Sequence, residues 1–400
     1  MKVILLVLDA LGVGQLENGN TYRTITGEKK ELRELFLSQI LDYSIEKVGN
    51  EEIVETVSKK FGLHTFFAYN LIPESSVPDS FLGHLEMIGN TAEIKEVYLE
   101  DEVAKLQKVL SKYGASKYED GFLYIDNKIV IGNNAECSPG LNINVLAMKS
   151  DICVDLLTQI SKEILEMTNC VRVIMMYGND INLRQLYTDG LEKRKNIDGS
   201  VHTFLKIPPL QIYNDLYKVQ HFGNKRLKPH LLDILSDSPK INRIELIGKV
   251  AKMFHYDATS VSEVYDGIET EKIFDALQNN LRRRDKNQEF IWTNVQKIDL
   301  FGHQQSITKS RFEYQIIANK VATTIEQLGQ EDVLLITADH GNDPSVNGSF
   351  HTREKVPFAI LSKNTVDLPN IQFTDKNLTV ISDLVSYIFK LSEKGEVYEK

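Results

Sequence analysis

Three aspartates and three histidines of this 400-residue sequence are placed where metal ligands would be needed. The apolar, β-branched run Val3–Leu8 stops at Asp9 and passes into Ala10-Leu11-Gly12-Val13-Gly14, a glycine turn that permits close backbone approach. A second run, Phe290–Val295, leads to Asp299-Leu300-Phe301-Gly302-His303. A third, Val333–Thr337, ends in Ala338-Asp339-His340-Gly341-Asn342, and His351 follows eleven residues after His340. Carboxylates with neutral imidazoles suit zinc or manganese, whereas magnesium and calcium prefer oxygen alone. Six such ligands divide into two sites of three with positions left open for a phosphate. Paired metals roughly 3.5–4 Å apart clamp the attacking and leaving oxygens of an in-line displacement.

Each piece has a plainer reading. Asp9 alone is a turn or cap residue, Asp299 and His303 are an ordinary i,i+4 helix pair, and His351 is a loop histidine. Asp339-His340 is harder to set aside, because a charged pair directly after a buried run is expensive without partners. The combination carries the reading more than any member does.

A hydroxyl stands in Val77-Pro78-Asp79-Ser80-Phe81-Leu82-Gly83-His84. Asp79 has the chemistry of an N-cap, and Leu82, Leu85, Met87 and Ile88 give a helical period that ends at Gly89. Ser80 then opens a helix, where the dipole and free N–H groups favour an alkoxide or a phosphate. On pattern alone Ser80 reads first as part of the cap.

These residues need a scaffold. Strands alternating with helical segments (Phe312–Leu328, stopped by Gly329; Leu378–Leu391, with Gly395 beyond) predict a doubly wound, mostly parallel α/β sheet, with function at the carboxyl ends of its strands. The middle of the chain reads differently: a helix over Asp101–Tyr113, a strand-like piece over Gly121–Ile131, a helix over Asp155–Met167 and a strand over Arg172–Tyr177. That pattern predicts a smaller α+β domain inserted into the core, with core segments 1–92 and 229–400 around an insert of 93–228, and a hinge at Lys228-Pro229. Two domains also follow from the length.

Composition narrows the partners. A net charge of −10 argues against a nucleic-acid binder, though not against small anions, since metals invert the local field. Cys137, Cys153 and Cys170 form an odd set without CxxC spacing, so neither a disulfide framework nor a cysteine zinc site is expected. Val3–Leu8 is far short of the ~20 residues that span a membrane. The expectation is a cytoplasmic protein with no membrane partner; the oligomeric state is unspecified.

The same residues resemble the alkaline-phosphatase superfamily, and within it the phosphopentomutases. The likeness runs through Val7–Gly14, Asp79–Gly89 and Ile247-Gly248-Lys249, and is most specific in Ile336–Pro344 with His351-Thr352-Arg353-Glu354-Lys355-Val356-Pro357. It implies an alkaline-phosphatase-like core under an inserted cap that supplies specificity contacts. It also implies two divalent metals, usually manganese in the mutases, one held by Asp9, Asp339 and His340 and the other by Asp299, His303 and His351. Ser80 would bridge them and carry the phosphoryl group, and Lys249 matches an active-site lysine. The implied activity is a phosphomutase acting on a phosphorylated sugar, with a phosphatase or phosphodiesterase as the alternative. The chain departs from phosphopentomutases at several points. It has Ser80 where they have threonine, and an Asp299–His303 spacing one residue shorter. In the cap, Met175 stands where they place a phosphate-gripping arginine, apolar Leu141 or its neighbours stand in the region of a ribose-reading aspartate, and Lys218 falls near a second arginine.

Overall fold

The computed structural model describes residues 1–45, 51–75, 77–90, 96–137, 139–195, 200–207, 218–223, 230–253, 261–283, 287–346, 350–369, 373 and 376–391. Lys228-Pro229 and Gly395 lie outside the described residues. The chain forms two compact units, one comprising Met1–Thr91, Lys228–Lys252 and Tyr256–Lys400, the other Ala92–Leu227 and Met253–His255.

The larger unit is built on a mixed sheet. Its strands are β1 (Lys2–Leu8), β2 (Thr65–Leu71), β3 (Ile241–Ile247), β4 (Val261–Tyr265), β5 (Gln288–Val295), β6 (Val333–Thr337) and β7 (Glu354–Ser362). The order is β4-β3-β5-β1-β6-β7-β2. The run from β4 to β6 is parallel, while β7 is antiparallel to β6 and β2 antiparallel to β7. Every residue of β1 is buried. A strand in that position is covered on both faces, which is why it reads as an unbroken apolar run. Trp292, Phe290 and Phe358 on neighbouring strands are likewise fully buried. The antiparallel strands β2 and β7 were not anticipated from the sequence.

Around the sheet lie α1 (Thr21–Thr26), α2 (Ser80–Met87), α3 (Thr270–Arg282), α4 (Lys297–His303), α5 (Ile307–Glu326) and α6 (Val380–Ile388). Helix α5 starts before the expected Phe312 because Ser306 caps it, its side chain accepting from the Lys309 N–H. Helix α2 begins where Asp79 predicts, with the aspartate accepting from the N–H groups of Phe81 and Leu82. No helix among the described residues is long and apolar enough to cross a membrane.

The smaller unit has its own sheet, ordered 218–223, 172–177, 142–147, 129–134, 201–205, 191–195, with Phe122–Ile125 pairing to Ile129–Asn134 and Ser116–Glu119 to Phe122–Ile125. Leu99–Leu110 and Val154–Thr168 supply helical residues, among them Leu106 and Ile160, to a buried apolar cluster with this sheet. The expected single strand over Gly121–Ile131 is a hairpin. Asp126 and Asn127 have φ of 49° and 51°, the left-handed pair that a tight two-residue hairpin turn demands.

Glu86, near the end of α2, is buried and accepts from the Glu74 N–H through both oxygens (3.0 and 3.1 Å) and from the Leu378 N–H at 2.8 Å. Burial pushes its pKa up to about 7 despite those donors. A carboxyl whose folded pKa is raised stabilises the fold fully below its unfolded pKa and loses that contribution as pH rises through the folded value. Wild-type stability should therefore fall between about pH 4.5 and pH 7–8 through this group, and Glu86→Gln should flatten that part of the profile. Urea unfolding at pH 5 and pH 8 checks this; parallel slopes for the two proteins would refute it.

Candidate metal centre

The parallel strands place their carboxyl ends together, and every residue singled out for chemistry follows one of them or enters from α2 or β7. Asp9 follows β1 directly, and Asp339 and His340 follow β6. Lys249 follows β3 after Gly248, whose φ of +84° and 2.2 Å clearance from the Asn294 carbonyl leave no room for a side chain. Asp299 and His303 lie within α4, just after β5, rather than at the strand end itself. His351 stands shortly before β7, and Ser80 is the first residue of α2.

These side chains form two groups of three. In the first, Asp9, Asp339 and His340 are all buried and offer ligand atoms within 4.8 Å of one another; in the second, buried His303 and His351 and partly buried Asp299 offer theirs within the same distance. His303 Nε2 lies 3.3 Å from Asp299 Oδ1, and His351 Nε2 is 3.4 Å from that oxygen and 3.2 Å from His303 Nε2. The i,i+4 helix spacing that looked like ordinary surface pairing is what aims Asp299 and His303 at one point. The groups adjoin, since the His340 and His351 rings stack with centroids 3.8 Å apart.

The donor set fits metal ions on this structure's own evidence. His351 Nδ1 is 3.0 Å from the Pro78 carbonyl and His340 Nδ1 is 3.0 Å from the Gly341 carbonyl. A carbonyl only accepts, so both Nδ1 atoms donate and both Nε2 atoms present lone pairs, the second-shell arrangement typical of metal-binding histidines. Among the described residues, His340 Nε2 and Asp9 Oδ1 are buried with no hydrogen-bond partner, an arrangement that is costly unless a cation meets them.

Electrostatics follow from this crowding. Burial and then the charge of Asp339 push Asp9 up to about 7, with Lys249 pulling the other way. Burial also raises Asp339, but His340 and Lys249 outweigh it and hold its carboxyl well below the usual range. Asp299 is likewise held low by His303 and His351 against burial. Burial lowers His340, and Asp339 more than reverses this, taking it to about 9, so a cation would reach the Nε2 lone pair by displacing a proton. His351 falls to about 4 through burial and the neighbouring His340.

Ser80 Oγ donates to Asp339 Oδ2 at 2.5 Å, and Lys249 Nζ touches both Ser80 Oγ and Asp9 Oδ2. Sequence reasoning missed the residues that hold these groups still. Asn342 donates to Asp299 Oδ1 at 2.9 Å, Asn294 donates to Asp9 Oδ2 at 3.0 Å, and the Ala10 N–H donates to Asp339 Oδ1 at 3.0 Å. Asn342 adjoins the Asp339-His340 motif and was legible as part of it. Asn294, next to the end of an apolar strand, carried a signal only as a polar residue where burial is expected.

The sequence model of the Metalloenzyme superfamily matches residues 1–383. The chain belongs to that superfamily. This metalloenzyme is similar to the phosphopentomutase of Mycoplasmopsis pulmonis (strain UAB CTIP), 24% identical over 382 residues that cover 90% of this chain and 88% of the relative. It is also 28% identical to the phosphopentomutase of Alkaliphilus metalliredigens (strain QYMF) over 181 residues, 45% of this chain and 43% of that one. Among solved structures, Leishmania mexicana phosphoglycerate mutase aligns with a TM-score of 0.48 at 11% identity, covering 99% of this chain and 96% of that chain.

Gly83 lets α2 approach the Asp339 loop: a Cβ there would lie 2.4 Å from the Asp339 carbonyl oxygen. Gly83→Ala should destabilise the metalloenzyme by about 1–3 kcal/mol, the usual cost of overpacking. Chemical denaturation measures this, and an unchanged midpoint would show that the approach is looser than described.

Proposed function

We propose that this chain is a metal-dependent phosphomutase, phosphopentomutase-like, that moves a phosphoryl group within a phosphorylated sugar through Ser80. The observation that carries the reading is the position of Ser80: a hydroxyl at a helix N-terminus, 2.5 Å from one carboxylate of a three-residue cluster and in contact with a partly buried lysine. Full-length similarity to a phosphopentomutase supports the same class.

In this reading Asp9, Asp339 and His340 would hold one divalent cation and Asp299, His303 and His351 the other, with the Ser80 hydroxyl standing beside the first group. When bound, the cations, manganese by family likeness with zinc also suited to the donors, would neutralise charge on the transferring group. Phospho-Ser80 gives its phosphoryl group to a hydroxyl of a bound monophosphate. The new P–O bond forms at the substrate oxygen, the bond to Ser80 Oγ breaks, and the substrate's proton passes to Ser80. The bisphosphate then reorients and returns its other phosphoryl group to Ser80 by the reverse exchange. Lys249, in contact with Ser80 Oγ, stabilises the oxygen that leaves. The N–H groups at the start of α2 favour the phosphorylated state. The smaller unit, about residues 93–228, serves as the cap that reads the substrate.

A second reading, a phosphatase or phosphodiesterase in which water takes the phosphoryl group, is favoured by Met175. Its side chain is fully buried in an apolar cluster with Val145 and Val173, so the place of the expected phosphate-gripping arginine offers a ligand nothing.

A panel of sugar monophosphates offered to the manganese-loaded protein separates the two. Isomer formation with Ser80 phosphorylated, seen by mass spectrometry, supports the mutase, and steady release of inorganic phosphate from many esters supports the hydrolase. Ser80→Ala should lower either activity by roughly 10³-fold or more with folding intact. Elemental analysis should find two divalent ions per wild-type chain and fewer after His340→Ala; a protein that takes up neither ion overturns both readings.

A further inference from the structure

Two buried polar residues that none of the chemistry above uses lie against the metal cluster and the nucleophile. His84, fully buried on α2, has Nδ1 at 2.7 Å from the Ser80 carbonyl oxygen and 3.3 Å from Asp339 Oδ2, and its Nε2 is 3.0 Å from Asn294 Nδ2. Asn294, fully buried on β5, reaches with the same Nδ2 to Asp9 Oδ2 at 3.0 Å.

The directions of these bonds are fixed by chemistry. A carbonyl oxygen accepts only, so His84 Nδ1 must carry a proton. Asp9 as a ligand carboxylate accepts only, so the group of Asn294 that faces it is the NH₂, not the oxygen. The second N–H of that NH₂ then points at His84 Nε2, which must offer a lone pair. His84 is thereby held neutral with its proton on Nδ1. The opposite tautomer would set two N–H groups against each other at Asn294 and a lone pair against the Ser80 carbonyl.

We propose that His84 and Asn294 form a polarised relay, Ser80 carbonyl to His84 to Asn294 to Asp9, that positions the metal ligand Asp9 and ties it to the helix carrying the nucleophile. The relay rests on the reading of Asp9 as a ligand and Ser80 as the nucleophile. It selects which oxygen of Asp9 is offered: Oδ2 is taken by Asn294 and Lys249, while Oδ1 is left without a partner 3.8 Å from His340 Nε2. It also ties α2 to the paired strands β5 and β1, whose ladder ends where Leu8 faces Val295. Trp292, two residues before Asn294 on β5, stacks against the His84 ring with centroids 5.7 Å apart and keeps it from turning. His84 and Asn294 are positioning residues: neither is asked to touch substrate.

The test uses the full chain and does not depend on turnover, so its failure is separate from a failure to find mutase or hydrolase activity. Nitrogen-15 histidine spectra of the zinc-loaded protein, with the His84 signal assigned by its loss in His84→Gln, should show a neutral ring protonated at Nδ1. A proton on Nε2, or an imidazolium, overturns the relay. In parallel, manganese titration of Asn294→Ala and Asn294→Asp should show affinity at the first site weakened by about 10–100-fold, the range for losing a second-shell partner. Lower melting temperatures with unchanged manganese affinity would mean that the pair only supports the fold and would refute the proposal. If the Asn294 variants do not fold, the wild-type tautomer still decides.

Discussion

Carboxylates gathered in a dry pocket repel one another and lose hydration, so they persist only where positive charge meets them. The carboxyl edge of the larger sheet is organised by that constraint. Asp9 and Asp339 hang from adjacent parallel strands, and the register that pairs Val7 with Thr337 brings both into the same buried space. Burial and mutual repulsion lift Asp9 to about 7, while His340 and Lys249 lower Asp339. The imidazoles and the lysine are thus part of the charge balance. The atoms left without partners, Asp9 Oδ1 and His340 Nε2, are those that cations would complete.

The supporting shell divides its labour by chain segment. Asn342 restrains Asp299, the Ala10 N–H restrains Asp339, and backbone carbonyls set the tautomers of His340 and His351. Beneath them Glu354 accepts from the Thr21 N–H and hydroxyl and from the Thr352 hydroxyl, while the Asn342 N–H donates to Thr21. Beta carbons at Gly12 and Gly341 would run into this glutamate, so the loops after β1 and β6 close on one carboxyl group. A site assembled from so many loops keeps its geometry because each ligand is held by a neighbour that has few alternatives.

The two clusters of candidate ligands were legible because metal binding demands particular residue types, and parallel α/β sheets put them at predictable places. Val3–Leu8 and Val333–Thr337 could be read as buried strands, and the charged residues directly after them stood out. Asp299 was readable as a ligand but its setting was not, since a seven-residue helix between strand and loop leaves little periodicity to detect. His84 and Asn294 escaped for another reason. Each lies in an otherwise apolar stretch, and one sequence does not say whether a buried polar residue answers a ligand or a neighbouring backbone group. The hairpin in the smaller unit was hidden by continuous apolar character on both sides of Asp126-Asn127, although that pair is itself a turn signal. Strands β2 and β7 lacked the purity of the parallel strands; Phe67 on β2 is 41% exposed.

The smaller unit shows how far likeness of residues can part from likeness of role. Asn133 and Asn134 are polar neighbours on one strand, and the Asn134 amide donates to Glu136 and Asn144, while its oxygen accepts from the N–H groups of Glu136 and Cys137. Asn133 donates to Glu100 and to the Thr203 carbonyl, and its oxygen accepts from the Leu99 N–H. An amide has two N–H donors and one carbonyl oxygen. Both donors of each side chain are therefore spent within the unit, and each oxygen already accepts. These asparagines close a turn and anchor a helix start, and neither has an N–H left to give to a substrate. With Met175 also buried among apolar neighbours, any specificity in this unit must come from side chains other than those the likeness singles out.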